Sequence, residues 1–148
     1  MDDAEAMVAF LNARLDEREA VARGAADASA AAWRAEPNAG EDWWAVMYTG
    51  PSTIRPCGEF DYPVAERVDR ADAAHIALHD PARVLREVEA DRRLIEAYEW
   101  VAARKADGGG IERDYNFRSG QAISLETAIG LRVAVHSDHP DYREEWKP

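Results

Sequence analysis

Four histidines occur in the 148-residue chain. They lie in two short segments, HIALHDP with His75 and His79, and HSDHPD with His136 and His139. If residues 72–79 are helical, His75 and His79 stand at i and i+4 on one face, the spacing that lets two imidazoles share a metal ion. His136, Asp138 or His139 would then supply a third ligand. That geometry belongs to a metal-dependent, hydrolase-like enzyme with His75, His79 and Asp80 as its candidate catalytic groups. The competing reading makes the histidines structural, hydrogen-bonding at the junction of two helices or capping their ends. Ile76 occupies the place where an HExxH zinc protease needs its general-base glutamate, so that motif is absent. Pro81 after Asp80 favours a helix cap over a metal ligand, since aspartate is a preferred N-cap and proline a preferred first helical residue.

The other reactive side chains carry weaker signals. Cys57 follows a proline and has no adjacent basic cluster to favour its thiolate, which points to a structural thiol. Gly108, Gly109 and Gly110 precede Ile111-Glu112-Arg113 and lack the Lys-Ser/Thr of a phosphate loop, so nucleotide binding has no support. Glu59, Asp61 and Glu66, or Asp138 and Asp141, can pair for acid/base work, but a solvated acidic surface accounts for them equally. Trp43 and Trp44 put two indoles on opposite faces of an extended segment. If one packs inward, the other is a candidate interface anchor, tryptophan being enriched where proteins bind proteins.

Composition narrows the classes. With 29 acidic against 18 basic side chains the formal charge is -11, so a phosphate backbone or an anionic membrane would meet mostly like charge. Neither nucleic acid nor membrane is an expected partner. A single cysteine excludes an intramolecular disulfide and a Cys-rich zinc ribbon, which fits a reducing, cytoplasmic setting. The opening MDDAEAMVAFLNARLDE has no basic n-region and no membrane-length apolar run, so a soluble chain without a leader is expected.

The elements that would position these residues follow from periodicity. Ala4, Val8, Leu11, Leu15, Ala22, Ala26 and Trp33 recur at helical spacings, predicting a helix over 3–34 that stops at or before Glu36, because Pro37 biases its predecessor away from the α region. Between Asp42 and Val68 the period changes to 2, with Trp44, Val46 and Tyr48 on one side of a strand. Residues 53–60 can return as an edge strand interrupted by Pro56, and 64–68 as a third. A short helix over 72–79 leads into a long one from Asp80-Pro81 to about Lys105, with Val84, Leu85, Val88, Ile95, Tyr98, Val101 and Ala102 as its stripe. The polar stretch 112–120 precedes the last helix. Ile123 to His136 reads as a last helix, apolar on most sides and therefore central. Tyr142 and Trp146, four residues apart, would share one face of a helical turn begun near Pro140 and dock on the body. The result is one α+β domain over 1–148, mainly helical, with three long helices, a short one and a small two- or three-stranded antiparallel unit.

The segment H75-IAL-H79-D80-P81-ARVLREVEADRR, the opening AFLNARLDE (Ala9 to Glu17) and the ending D138-H139-P140-D141-Y142-R143-E144-E145-W146 together resemble an actinobacterial family of unknown function, also found in phages of those bacteria. Its members commonly read HIARHDPARVLREVEAKR and end in ADHPDYREEW. This chain departs at Asp91, where lysine is usual, and at His136-Ser137, where a Pro-Tyr-Ala type of segment is common. The resemblance implies a small, mostly helical protein in a phage or mobile-element context and brings no activity, ligand or catalytic residue. The leading expectation is therefore a non-enzymatic acidic interaction protein needing no cofactor, such as a phage- or prophage-encoded modulator of a host protein, an acidic DNA mimic being one form. The alternative is the divalent-metal enzyme built from the two histidine segments.

Overall fold

The computed structural model describes residues 3–29, 32–49, 63–106 and 112–148. It is an α+β chain in the order α1 (Asp3–Ser29), β1 (Trp33–Pro37), β2 (Trp44–Tyr48), β3 (Ala65–Val68), α2 (Arg70–Leu78), α3 (Pro81–Ala106) and α4 (Glu112–Ala134), closed by a single 3-10 turn, Glu144–Trp146. The chain divides into two compact units, one formed by Glu17–Val88 and the other by Met1–Asp16 with Glu89–Pro148. No helix among the described residues is long and apolar enough to cross a membrane.

The Glu17–Val88 unit is a three-stranded antiparallel sheet, ordered β1-β2-β3, with α2 packed on it. Trp33 pairs with Tyr48 and Pro37 with Trp44; proline is tolerated there because β1 is an edge strand. Val46 in the central strand is fully buried, as its place in the alternating pattern requires. Between Trp44 and Val46 the register with β3 shifts by one residue, and Arg67 lies there in the left-handed region at φ 58°. One extra residue in β3 is thus accommodated as a bulge.

Trp33 corrects the sequence reading. It does not extend the helical stripe of α1, which ends at Ser29, but opens β1. Extended backbone reaches further back from Pro37 than one residue, because a strand-pairing partner, Tyr48, is available for Trp33. The expected strand over 53–60, with Cys57, Glu59 and Asp61, and the glycines 108–110 lie outside the described residues.

In the other unit, Met7, Phe10, Leu11 and Leu15 of α1, Ile95 and Val101 of α3, and Ile129 and Val133 of α4 are buried. The spacings are those of helix faces turned to a core. Here two expectations fail. The stretch 112–120 is helical, forming the first turns of α4; it contains no proline, and polar residues are compatible with a helix whose outer side is solvated. Nor is α4 a central helix, since Ile123 and Leu131 are exposed.

Asp80 performs the capping role its proline neighbour indicates: Arg83 N–H donates to Asp80 Oδ1 at 2.6 Å. Asp80→Ala should cost roughly 1 kcal/mol, read as a melting temperature lowered by a few degrees, and Asp80→Ser should recover most of the loss.

Candidate functional site

The two histidine pairs fall in different units. His75 and His79 are brought together by one turn of α2, their rings 4.6 Å apart between centroids and inclined at 57°. His79 ends that helix, its N–H donating to His75 O at 3.3 Å and Ile76 O at 3.1 Å. Its side chain lines an apolar cleft of about 320 Å³ with Val21, Ala25, Trp33, Pro81 and Val84, and Arg18 stands among the cleft's polar residues. Arg18 Nη2 donates to Glu87 Oε2 at 3.0 Å, and Arg83 Nε donates to Glu87 Oε1 at 2.9 Å. The Arg83 hydrogen bond, helped by Arg18 and opposed by partial desolvation, holds Glu87 below the ordinary carboxylate value.

His136 and His139 meet a residue that lies outside the periodic stripe read from sequence. The buried Phe10 ring lies 6.2 Å from His136, 5.6 Å from His139, 6.3 Å from Tyr142 and 5.3 Å from Trp146. The Arg14 guanidinium sits 5.3 Å over the same ring and also meets His139 Nε2. Asp141 N–H donates to His139 Nδ1 at 3.1 Å. A neutral imidazole has one acceptor nitrogen, so these two donors compete for it. Asp138 is exposed. In sequence, the signal for this cluster is the i, i+3, i+7 series Met7, Phe10 and Arg14. The stripe through Val8 and Leu11 hides it, because an arginine ordinarily belongs to the solvated side of a helix.

Among the described residues, no group of three or more His, Cys, Asp or Glu side chains is placed so as to hold a metal ion. Trp43 and Trp44 are both half-buried. Trp43 precedes β2 rather than alternating within it, and Arg70 covers the Trp44 ring at 5.5 Å. Asp91 is buried on α3 and accepts a hydrogen bond from Arg132 Nη2 of α4 at 2.5 Å. A buried carboxylate is tolerated there because a cation reaches it.

The most unusual surface is the outer side of α4. Phe117, Ile123 and Leu131 are 67, 61 and 54% exposed. With Gly120, Ser124 and Thr127 they fall within an arc of roughly 120° at helical periodicity, whereas Arg118, Glu126 and Arg132 lie outside it. The hydroxyls on this face are turned inward along the helix: Ser124 Oγ donates to Gly120 O at 2.9 Å and Thr127 Oγ1 to Ile123 O at 2.8 Å. What faces outward is hydrocarbon. The face continues into a groove of about 440 Å³ lined by Met7, Gly130 and Trp146 as well as Ile123 and Leu131, with Asp3, Glu126 and Glu145 among its lining residues. The buried Trp146 indole N–H has no hydrogen-bond acceptor among the described residues.

Trp146 holds the C-terminal turn against Phe10, so Trp146→Ala should destabilise the fold by about 2–4 kcal/mol in chemical denaturation, with amide protection of 138–148 lost first. A parent-like midpoint would show the tail to be dispensable. For Glu87, a lowered folded-state pKa means stability that is present above its ordinary value of 4.5 and lost as pH falls through the folded value. Glu87→Gln should therefore flatten the acid-side stability profile below that pH, by no more than about 1 kcal/mol because the ion pairs are partly exposed.

No match was found among curated proteins, and none among solved structures. One family model matches, that of the family of unknown function DUF6221, and it spans residues 4–148, all of the elements described above but the first residue of α1. The chain therefore belongs to the DUF6221 family.

Proposed function

We propose that this protein is a non-enzymatic interaction protein that receives a protein partner on the outer face of α4. The observation that carries this reading is the run from Phe117 to Leu131, an uncharged, exposed helix face in a chain of which 32% is charged. A contiguous apolar patch on a small acidic protein is more costly in water than scattered single residues, and such patches mark contact sites. In this reading the partner is a host protein that the chain modulates, the histidines are structural, and no cofactor is needed. His139 and His136 serve the packing around Phe10, and His79 closes α2.

A photo-crosslinking side chain placed at Thr127 should capture a discrete partner in cells, whereas the same group at the exposed Glu89 of α3 should not. Leu131→Gln should abolish the crosslink while leaving the melting temperature within about 1 °C, because Leu131 is more than half exposed. Protein purified without chelator should hold well under one equivalent of Zn, Mn, Fe or Ni. One tightly held metal, lost in His75→Ala, would reverse the reading in favour of the enzyme.

A further inference from the structure

We infer that the α4 groove takes a cationic amphipathic helix, its apolar side on Met7, Ile123 and Leu131 and its basic flanks on Asp3, Glu126 and Glu145. The inference rests on the interaction reading above and names the chemistry of the partner. Apolar floor and carboxylates occur together here: the groove that exposes Ile123 and Leu131 is also lined by those three acidic residues. Glu145 has Arg143 Nη1 at 3.8 Å, while Asp3 and Glu126 have no ion-pair partner among the described residues. A ligand that buries the floor without supplying positive charge would desolvate these carboxylates uncompensated. A ligand with lysine or arginine beside its apolar stripe would pair them, and would be steered toward a chain of charge -11.

The shape fits a helix. The face from Phe117 to Leu131 runs for about 21 Å at 1.5 Å per residue, the length of a helix of some four turns. Small residues at Gly120 and Ser124 allow close approach of a second backbone, and the Ser124 and Thr127 hydroxyls are already bonded to their own helix and make no demand on the ligand. A β-strand would need a free sheet edge, which this face does not offer. A second copy of this chain is a poorer occupant, since it brings another -11 to a surface already lined by carboxylates.

The test uses the full chain and three 18-residue peptides: a helix with leucines on one face and lysines on the other, the same composition scrambled so that no apolar face forms, and a leucine–glutamate counterpart. Calorimetry and amide chemical shifts should show the leucine–lysine helix binding at least about 10-fold more tightly than the scrambled peptide at 0.15 M salt, with shifts centred on Met7, Ile123 and Leu131. Leu131→Gln should remove that advantage. The Glu126→Gln/Glu145→Gln double variant should weaken binding about 5-fold and flatten its salt dependence. Equal binding of the scrambled peptide, equal binding of the leucine–glutamate helix, or self-association of the chain that Leu131→Gln abolishes would each overturn the inference. A partner crosslinked at Thr127 that the leucine–lysine helix fails to displace would overturn it too, while leaving the interaction reading intact. Absence of any crosslinked partner, with the leucine–lysine helix bound as expected, would sink the interaction reading and leave the groove assignment standing.

Discussion

Closure of the unit formed by Met1–Asp16 and Glu89–Pro148 depends on the burial of one aromatic ring. Phe10 is surrounded by His136, His139, Tyr142 and Trp146, all within 6.3 Å between centroids. The segment that covers it, DHPDYREEW, is dominated by charged and polar residues and forms only a single 3-10 turn of its own. A segment of that composition has no helix-forming reserve to hold it in place. Its order comes from aromatic packing. Tyr142 meets Trp146 and Phe10 edge-on, Trp146 leans on Phe10 at a tilt, and Arg143 lies over the Trp146 ring at 5.1 Å. Arg14 finishes the arrangement from the α1 side, its guanidinium lying over the Phe10 face. Cation and ring attract most where water is excluded, which accounts for a buried arginine in a helix face that is otherwise apolar.

This arrangement gives the second histidine pair a physical role before any chemical one. His136 and His139 meet Phe10 edge-to-face and so act as aromatic packing groups with a polar rim. The first pair does something similar on a smaller scale: two inclined rings one turn apart at the end of α2, with His79 also helping to wall the apolar cleft. An i, i+4 histidine pair is compatible with metal binding, and the same spacing also lets two imidazoles pack on each other. Sequence spacing alone does not separate these two uses, since both need only a helix.

Much of the fold is legible in sequence because local rules and tertiary packing agree. Asp80-Pro81 declares the start of α3, and the cap is present. The alternation of Trp44, Val46 and Tyr48 declares β2, and Tyr142 with Trp146 declares a docked turn. The illegible parts are those where a partner decides. Trp33 fits a helical stripe equally well in sequence, and only its pairing with Tyr48 makes it a strand residue. Residues 112–120 fall outside the helical stripe because they are polar, yet a polar segment joined to a packed helix extends it at little cost. Phe10 and Arg14 escape periodicity for a related reason: what gives them meaning is the tail, which lies 125 residues beyond Arg14 at the His139 contact. The α4 face is half legible. Its apolar residues stand out in sequence and suggest a core, because hydrophobic pattern reports a preference for burial and is silent on what does the burying.

The same consideration explains how a chain can carry this face in solution. Net charge of one sign keeps copies apart at long range, but screening in physiological salt confines that repulsion to about 8 Å, so charge elsewhere does not shield a patch from close contact. What protects the face is its setting: Arg118, Glu126 and Arg132 flank it, and Asp3 and Glu145 line the adjoining groove. Two identical grooves approaching each other would bring carboxylate toward carboxylate, with no cation in either lining. Within the groove, a basic helix meets only carboxylates among the charged lining residues. On the reading proposed above, the acidic groove lining acts as a discriminator by disfavouring the copy and favouring the complement, and an uncharged stripe of about 21 Å can remain exposed without serving as an indiscriminate adhesive.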